Sequence, residues 1–143
     1  MKILVLNGPN LNMLGRREPE IYGSENYEAL VAYIKTAAYE VSAEVEVFQS
    51  NHEGVLVDTI QAALGVYDAI IINPAAYTHT SVAIADALSA VALPVVEVHL
   101  SDIMKRETFR HHSFVSPIAK KTYMGKGFAG YRLAIRYLVL GEE

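Results

Sequence analysis

The sequence predicts an α/β sandwich, a parallel sheet with helices wound over both of its faces. Three observations predict it. Strand and helix patterns alternate five times along the 143 residues. Four of the strand patterns are short apolar runs, the composition of strands covered on both sides. Polar turns close these strands, so the strand ends are where chemistry is concentrated.

Ile3 to Leu6 is the first strand, closed by the turn Asn7-Gly8-Pro9-Asn10. A polar loop bounded by Gly15 and Gly23 follows, carrying Arg16, Arg17 and Tyr22. Leu30, Ile34, Ala37 and Val41 then recur at helical spacing, with Ser24 or Asn26 as the cap. Val45 to Phe48 is the second strand, ending in Gln49-Ser50-Asn51-His52-Glu53-Gly54. Leu56, Ile60, Ala63 and Leu64 form a second helical face that Gly65 should stop. Ala69 to Ile72 is the third strand, closed by Asn73-Pro74, and Ser81 to Val91 is a helix with Ile84, Leu88 and Val91 inward. Val95 to Val98 is the fourth strand. A short helical piece is expected over Ile103 to Glu107, and irregular chain over Thr108 to Pro117. Ala119 to Met124 is polar enough to be an edge strand, and Tyr131 to Leu140 is the last helix.

Five parallel strands joined by right-handed crossovers favour a flavodoxin-like doubly wound five-stranded parallel sheet, order 2-1-3-4-5, within one domain spanning 1–143. In such folds ligands bind beyond the carboxyl ends of the strands. That rule gathers Asn10, Arg17, Tyr22, Asn73, His79, His99 and Ser101 around one cleft. The convergence is more specific than any one of these residues.

Composition narrows the function classes. Apolar residues make up 52% of the chain, which suits a packed core. A net charge of -4 gives no electrostatic reason to expect nucleic acid. With no cysteine there is neither a disulfide nor a thiolate metal site. Met1-Lys2-Ile3-Leu4-Val5 runs straight into a strand and no apolar run is long enough to span a bilayer, so a soluble cytoplasmic protein with no membrane partner is expected.

The strand ends differ in what they offer. In the first loop an arginine beside a tyrosine favours the phenolate, which makes Tyr22 a candidate base; taken alone, the stretch reads more readily as a charged surface loop with a tyrosine packed on the scaffold. The turn Asn73 to Ser81 offers helix-start amides for an anion or a carbonyl, or simply a cap from Thr78, Thr80 or Ser81. Glu97-Val98-His99-Leu100-Ser101 puts an imidazole beyond a buried strand. A carboxylate near His99 would hold its tautomer and its proton, and the Leu100 and Ser101 amides could seat a carboxylate. Here Glu97 is expected to share a face with His99 only where the strand has ended. In Arg106 to His112 one arginine could clamp a substrate oxygen, most of the run reading as solvated charge or a subunit contact. His111 and His112 are adjacent and expected to point apart, and the histidines lack ligand spacing, so no metal is expected. Nucleotide-binding glycine motifs and a G-x-S-x-G elbow are absent.

Six motifs taken together resemble the type II 3-dehydroquinate dehydratases, or type II dehydroquinases. They are Leu6 to Asn12, Gly15 to Gly23, Gln49 to Gly54, Asn73 to Ser81, Glu97 to Ser101, and Arg110-His111-His112-Ser113-Phe114-Val115-Ser116-Pro117. They run in the family's order and cover nearly the whole chain. Phe114-Val115 departs from the family's frequent Tyr-Leu, and Lys126 to Ala129 is a variable stretch. The resemblance implies a shikimate-pathway lyase converting 3-dehydroquinate to 3-dehydroshikimate, with no cofactor, in a homododecamer built from trimers. It implies Tyr22 as base, His99 as general acid, Arg17 as stabiliser of the phenolate, and Asn10 as the group ordering a water or the enolate oxygen. Asn73, His79, Asp86 and Arg110 are implied to bind substrate, the Leu100 and Ser101 amides to hold its carboxylate, and Glu97 to partner His99. The loop from Asn12 to Gly23, polar and flanked by glycines, is expected to act as a lid.

The same fold would suit a flavin-binding electron carrier or a receiver-type signalling module. The first needs a hydroxyl-rich phosphate loop after strand one, where this chain has asparagines and a proline. The second needs an aspartate ending strand three, where Asn73 stands.

Overall fold

The computed structural model describes residues 1–16 and 25–143. Arg17 and Tyr22, and with them most of the expected lid, lie outside the described residues.

Five strands, β1 (Lys2–Asn7), β2 (Glu44–Gln49), β3 (Ala69–Asn73), β4 (Val95–His99) and β5 (Lys121–Met124), pair in parallel in the order β2-β1-β3-β4-β5. This is the expected flavodoxin-like order. The helices are α1 (Tyr27–Glu40), α2 (Glu53–Ala62), α3 (Val82–Val91) and α4 (Ala129–Leu140). Alternation along each strand sorts the core into two layers. Ile3, Val5, Ala69, Ile71, Val96 and Val98 pack with Leu30 and Ile34 of α1 and Ala134 and Ile135 of α4. Leu4, Leu6, Ile70, Ile72 and Val95 pack on the other face with Leu56 and Ile60 of α2 and Ile84 and Leu88 of α3. Each helix therefore contributes one apolar stripe to a sheet that cannot be wetted on its central strands.

Several boundaries differ from expectation for local reasons. The cap of α1 is Asn26, one of the two expected, its side-chain oxygen accepting the Ala29 amide at 2.8 Å. Helix α2 stops at Ala62, before Gly65, because the Val66 and Tyr67 amides both turn back to the Ala63 carbonyl. The piece at 103 is a single 3-10 turn, Ile103–Lys105, and a second one, Thr108–Arg110, lies in the stretch expected to be irregular. Strand β5 begins at Lys121 rather than Ala119. Strand β2 is not covered on both faces: Glu44, Glu46 and Phe48 are exposed, as an edge strand permits.

The ends of β1 and β3 are clamped together. The Gly8 amide donates to the Asn73 carbonyl at 2.8 Å. A Cβ on Gly8 would stand 2.4 Å from the Pro74 carbonyl oxygen, an overlap with backbone that no rotamer relieves. Gly8→Ala is therefore expected to cost about 1–3 kcal/mol, the range for forced overpacking. A thermal melt would register it; an unchanged melting temperature would contradict the clamp.

Candidate functional site

Beyond the carboxyl edge of the sheet lies a cavity of about 340 Å³. Pro9, Asn10 and Leu11 follow β1; Asn73, Ala75, Ala76 and His79 follow β3; His99, Leu100, Ser101 and Ile103 follow β4; Arg106 and Arg110 close it. Of the residues predicted from sequence, the structure brings together Asn10, Asn73, His79, His99, Leu100, Ser101 and Arg110. Asp86 does not join them: it is exposed on α3, away from this cavity's lining.

Asn10 sits in a left-handed conformation, φ 70°, which asparagine tolerates better than most residues. Its amide donates to Asn51 Oδ1 at 3.0 Å. Gln49 Nε2 ties the same turn down through the Gly8 carbonyl at 3.1 Å and Asn51 Oδ1 at 3.1 Å. The end of β2 thus holds the end of β1 in shape.

Asn73 is oriented from below. Its Oδ1 accepts the Ala75 amide at 3.1 Å, so Nδ2 is the other end, donating to Tyr131 Oη at 3.1 Å. One Nδ2 hydrogen is left for a ligand. Tyr131, fully buried on α4, donates in turn to Asn7 Oδ1 at 2.6 Å. Burial pushes the Tyr131 phenol far above its ordinary range, with Tyr27 adding to the rise and the Asn73 hydrogen bond opposing it. Tyr131 is thus a permanent neutral donor. Tyr131→Phe should leave Asn7 Oδ1 buried without that donor and destabilise the protein by about 1–3 kcal/mol. Denaturant unfolding would measure it, and a loss well under this range would show that water replaces the hydroxyl.

His79 pairs its Nδ1 with the His112 carbonyl at 2.8 Å. Only a protonated Nδ1 makes that bond, so Nε2 of the neutral ring is an acceptor. His111 Nε2 donates to the Arg106 carbonyl at 2.9 Å, and the His112 ring meets Phe114 edge-on. The two adjacent histidines do point to different partners, both shaping the loop that carries the arginines. Arg110 Nε donates to Glu107 Oε2 at 2.5 Å, and this pairing holds the Glu107 carboxyl below its ordinary range. Arg106 has no ion pair among the described residues. The Leu100 carbonyl accepts the Gly127 amide at 3.0 Å. Because C=O and N–H of a trans peptide point opposite ways, the Ser101 amide is directed away from Gly127.

His99 is the most tightly determined residue here. The expectation that Glu97 joins its face only beyond the strand is corrected: β4 runs through His99, and a period of two places Val95, Glu97 and His99 on one face. His99 Nε2 lies 2.7 Å from Glu97 Oε2, both side chains buried. Ser113 Oγ donates to the same oxygen at 2.6 Å, Thr122 Oγ1 to Oε1 at 3.0 Å, and Ser116 Oγ to Oε1 as well. Burial alone would raise the Glu97 carboxyl, but the bonds from His99, Ser113 and Ser116 outweigh it and hold the group below its ordinary range. A buried carboxylate so placed fixes the His99 tautomer with Nε2 protonated and leaves Nδ1 as the other hydrogen-bonding atom.

A model of the family described as dehydroquinase class II matches residues 1–139. This chain belongs to the class II dehydroquinase family. A 3-dehydroquinate dehydratase of Acaryochloris marina is 56% identical over 137 residues, covering 96% of this chain and 92% of that protein. One from Geotalea daltonii is 57% identical over 136 residues, covering 95% and 94%. Among solved structures, a type II dehydroquinase from Butyrivibrio crossotus superposes with a TM-score of 0.91 at 51% identity, covering 96% of this chain and 97% of that one. Within this dehydroquinase, sequence reasoning missed Arg106 and the hydroxyls around Glu97. Nothing in the spacing of Arg106-Glu107-Thr108-Phe109-Arg110 distinguishes the two arginines. Thr122 had a signal, a polar residue on a strand beside Glu97, but only the register Glu97↔Thr122 makes it legible.

Proposed function

We propose that this protein dehydrates 3-dehydroquinate to 3-dehydroshikimate through an enolate, with Tyr22 as base and His99 as general acid, the whole chain 1–143 serving as one catalytic domain. The observation that supports this most directly is His99, paired with a buried carboxylate and opening on a cavity lined by Asn10, Asn73, His79 and two arginines.

The steps balance without a cofactor. Tyr22 as phenolate takes a proton from the carbon beside the ketone, and the C–H electrons move to the carbonyl oxygen as an enolate. The enolate re-forms the ketone, and its electrons form the new C=C bond as the C–O bond to the leaving hydroxyl breaks. That oxygen takes a proton from His99 and departs as water. The proton gained by Tyr22 returns to the site or solvent, and His99 is recharged. Free tyrosine titrates near ~10, so the first step needs a cation beside it, the role assigned to Arg17. The roles of Tyr22 and Arg17 rest on the resemblance of the Gly15–Gly23 motif. Asn10 and the free hydrogen of Asn73 suit the developing oxyanion, which grows stronger as an acceptor in the transition state. His79 Nε2 suits a substrate hydroxyl, and the Leu100 and Ser101 amides with Arg110 suit its carboxylate and oxygens. Mixing the purified protein with 3-dehydroquinate should produce the ultraviolet absorbance of the conjugated product. A flat trace would overturn the reading.

Exposed Asp86 fits the same reading in a homododecamer of trimers if it reaches a neighbouring subunit's cavity. Asp86→Ala and His99→Ala protomers, each weakly active alone, should recover activity in mixed assemblies, where one cavity type regains both groups. Verified mixed assemblies with no recovery would remove Asp86 from the site.

A further inference from the structure

The carboxylate of Glu97 is saturated. Its Oε2 accepts from His99 and Ser113, and its Oε1 from Ser116 and Thr122. A carboxylate has about four lone-pair directions, and four donors fill them. Glu97, His99 and Ser113 are buried, Thr122 is half-buried, and Ser116 reaches the carboxylate from the exposed side.

Ser113 shows why the arrangement has a direction. The amides of Val115 and Ser116 both donate to its Oγ, each at 3.1 Å. Both lone pairs of that hydroxyl are taken, so its hydrogen has one place to go, Glu97 Oε2. Ser113 cannot turn round to accept a proton from a neutral Glu97. Thr122 stands directly across from Glu97 in the β4–β5 register, with its hydroxyl at 3.0 Å. Among the described residues, His99 is the one ionisable group hydrogen-bonded to Glu97. His79, Arg106 and Arg110 line the cavity on which His99 opens.

The proton shared by a buried Glu–His pair has two homes. On His99 it gives an ion pair; on Glu97 it gives two neutral groups, with a neutral imidazole, a far weaker acid than the imidazolium, facing the cavity. Low dielectric favours the neutral form, and hydrogen bonds to the carboxylate favour the ion pair. We propose that Ser113 and Thr122, with Ser116, are positioning residues that act through Glu97 to keep the shared proton on His99, so that the imidazole enters the reaction as a charged donor. The proposal rests on His99 being the general acid of the reaction proposed above, and it adds what sets the charge of that acid.

The test uses the whole protein and two readouts. The first is independent of activity: nitrogen and carbon NMR of His99 and Glu97, with the His99 signals assigned by their absence in His99→Ala. At about pH 6, near where an ordinary histidine titrates, the wild type should show both His99 ring nitrogens protonated and Glu97 ionised. Ser113→Ala with Thr122→Val should move His99 toward a singly protonated ring and Glu97 toward the acid form. The second readout is kinetic. The double variant should lose about tenfold or more in kcat for dehydration, as expected for bonds to a charged group. Its KM should stay within about twofold, and exchange of the abstracted substrate proton with solvent deuterium should persist. Thr122→Ser, which keeps the hydroxyl, should behave as wild type, whereas Thr122→Val should not. A wild type with protonated Glu97 overturns the proposal, and so does a double variant with unchanged NMR signatures. Equal loss of exchange and dehydration, with Thr122→Ser no better than Thr122→Val, assigns these residues a merely structural role and also overturns it. If the double variant does not fold, the wild-type spectrum and Thr122→Val alone decide. A wild type that fails to turn over 3-dehydroquinate sinks the proposed reaction, while the NMR readout still tests the hydroxyls.

Discussion

His99→Ala should lower turnover of 3-dehydroquinate by about 10²–10⁴-fold, the usual worth of a positioned general acid. The loss should fall on the second half of the reaction. Hydroxide leaves poorly without a proton, but removal of the proton beside the ketone does not need the imidazole. Solvent deuterium should therefore still enter the substrate when product formation has nearly stopped. Tyr22→Phe should behave oppositely, abolishing exchange and dehydration together while substrate analogues still bind. Measuring exchange by NMR beside product absorbance separates the two. If His99→Ala loses exchange as completely as dehydration, His99 is not confined to the acid role.

Glu97→Gln should damage both stability and activity. The glutamine amide is close to the carboxylate in shape, yet its NH₂ end must face two donors, either His99 with Ser113 or Ser116 with Thr122. Breaking a buried charged partnership of this kind costs about 3–5 kcal/mol. The pH dependence has a definite sign. Glu97 is held below its ordinary range in the folded protein, and an unfolded glutamate titrates near ~4.3. Between the folded and unfolded values the unfolded chain binds more protons, so stability rises with pH there. The contribution of Glu97 is complete above the unfolded value and disappears as pH falls through the folded one. Glu46, Glu107 and Glu142 are also held low, but they are solvent-exposed and common to both proteins. Melting temperatures of wild type and Glu97→Gln against pH should therefore converge on acidification. A constant gap across the acid range would mean that Glu97 is not ionised in the folded state.

How much of this was readable without coordinates depends on the range of the forces involved. The sheet order was legible because apolar strand patterns, right-handed crossovers and polar strand ends are properties of short segments. Asn10, Asn73, His79 and His99 were legible as a group because each ends a strand or lies in the turn that follows one. The hydroxyls on Glu97 were not, since Ser113, Ser116 and Thr122 reach it from 16, 19 and 25 residues away. Tyr131 was likewise hidden: the sequence marked it only as the start of the last helix, although its hydroxyl joins Asn7, 124 residues distant, to Asn73. The Glu97–His99 pairing was expected from the resemblance, but the face they share was misjudged, because the end of β4 was placed one residue early and the alternation was not carried through His99.

The sheet divides the site's supports. Asn7 and Asn73 are rooted, through Tyr131, in the layer beneath α1 and α4. Glu97 and His99 belong to the opposite layer, with Val95, under α2 and α3. Under the proposed mechanism, this partition would let each half-reaction be tuned separately. Repacking around Tyr131 would alter how an enolate is held and leave the proton donor alone. Repacking near Val115, which neighbours Ser113, would alter the donor and leave the enolate alone. A library built one layer at a time would search the two supports separately, and combining its winners would measure how strongly they couple, because Asn73 and His99 end neighbouring strands and line one cavity.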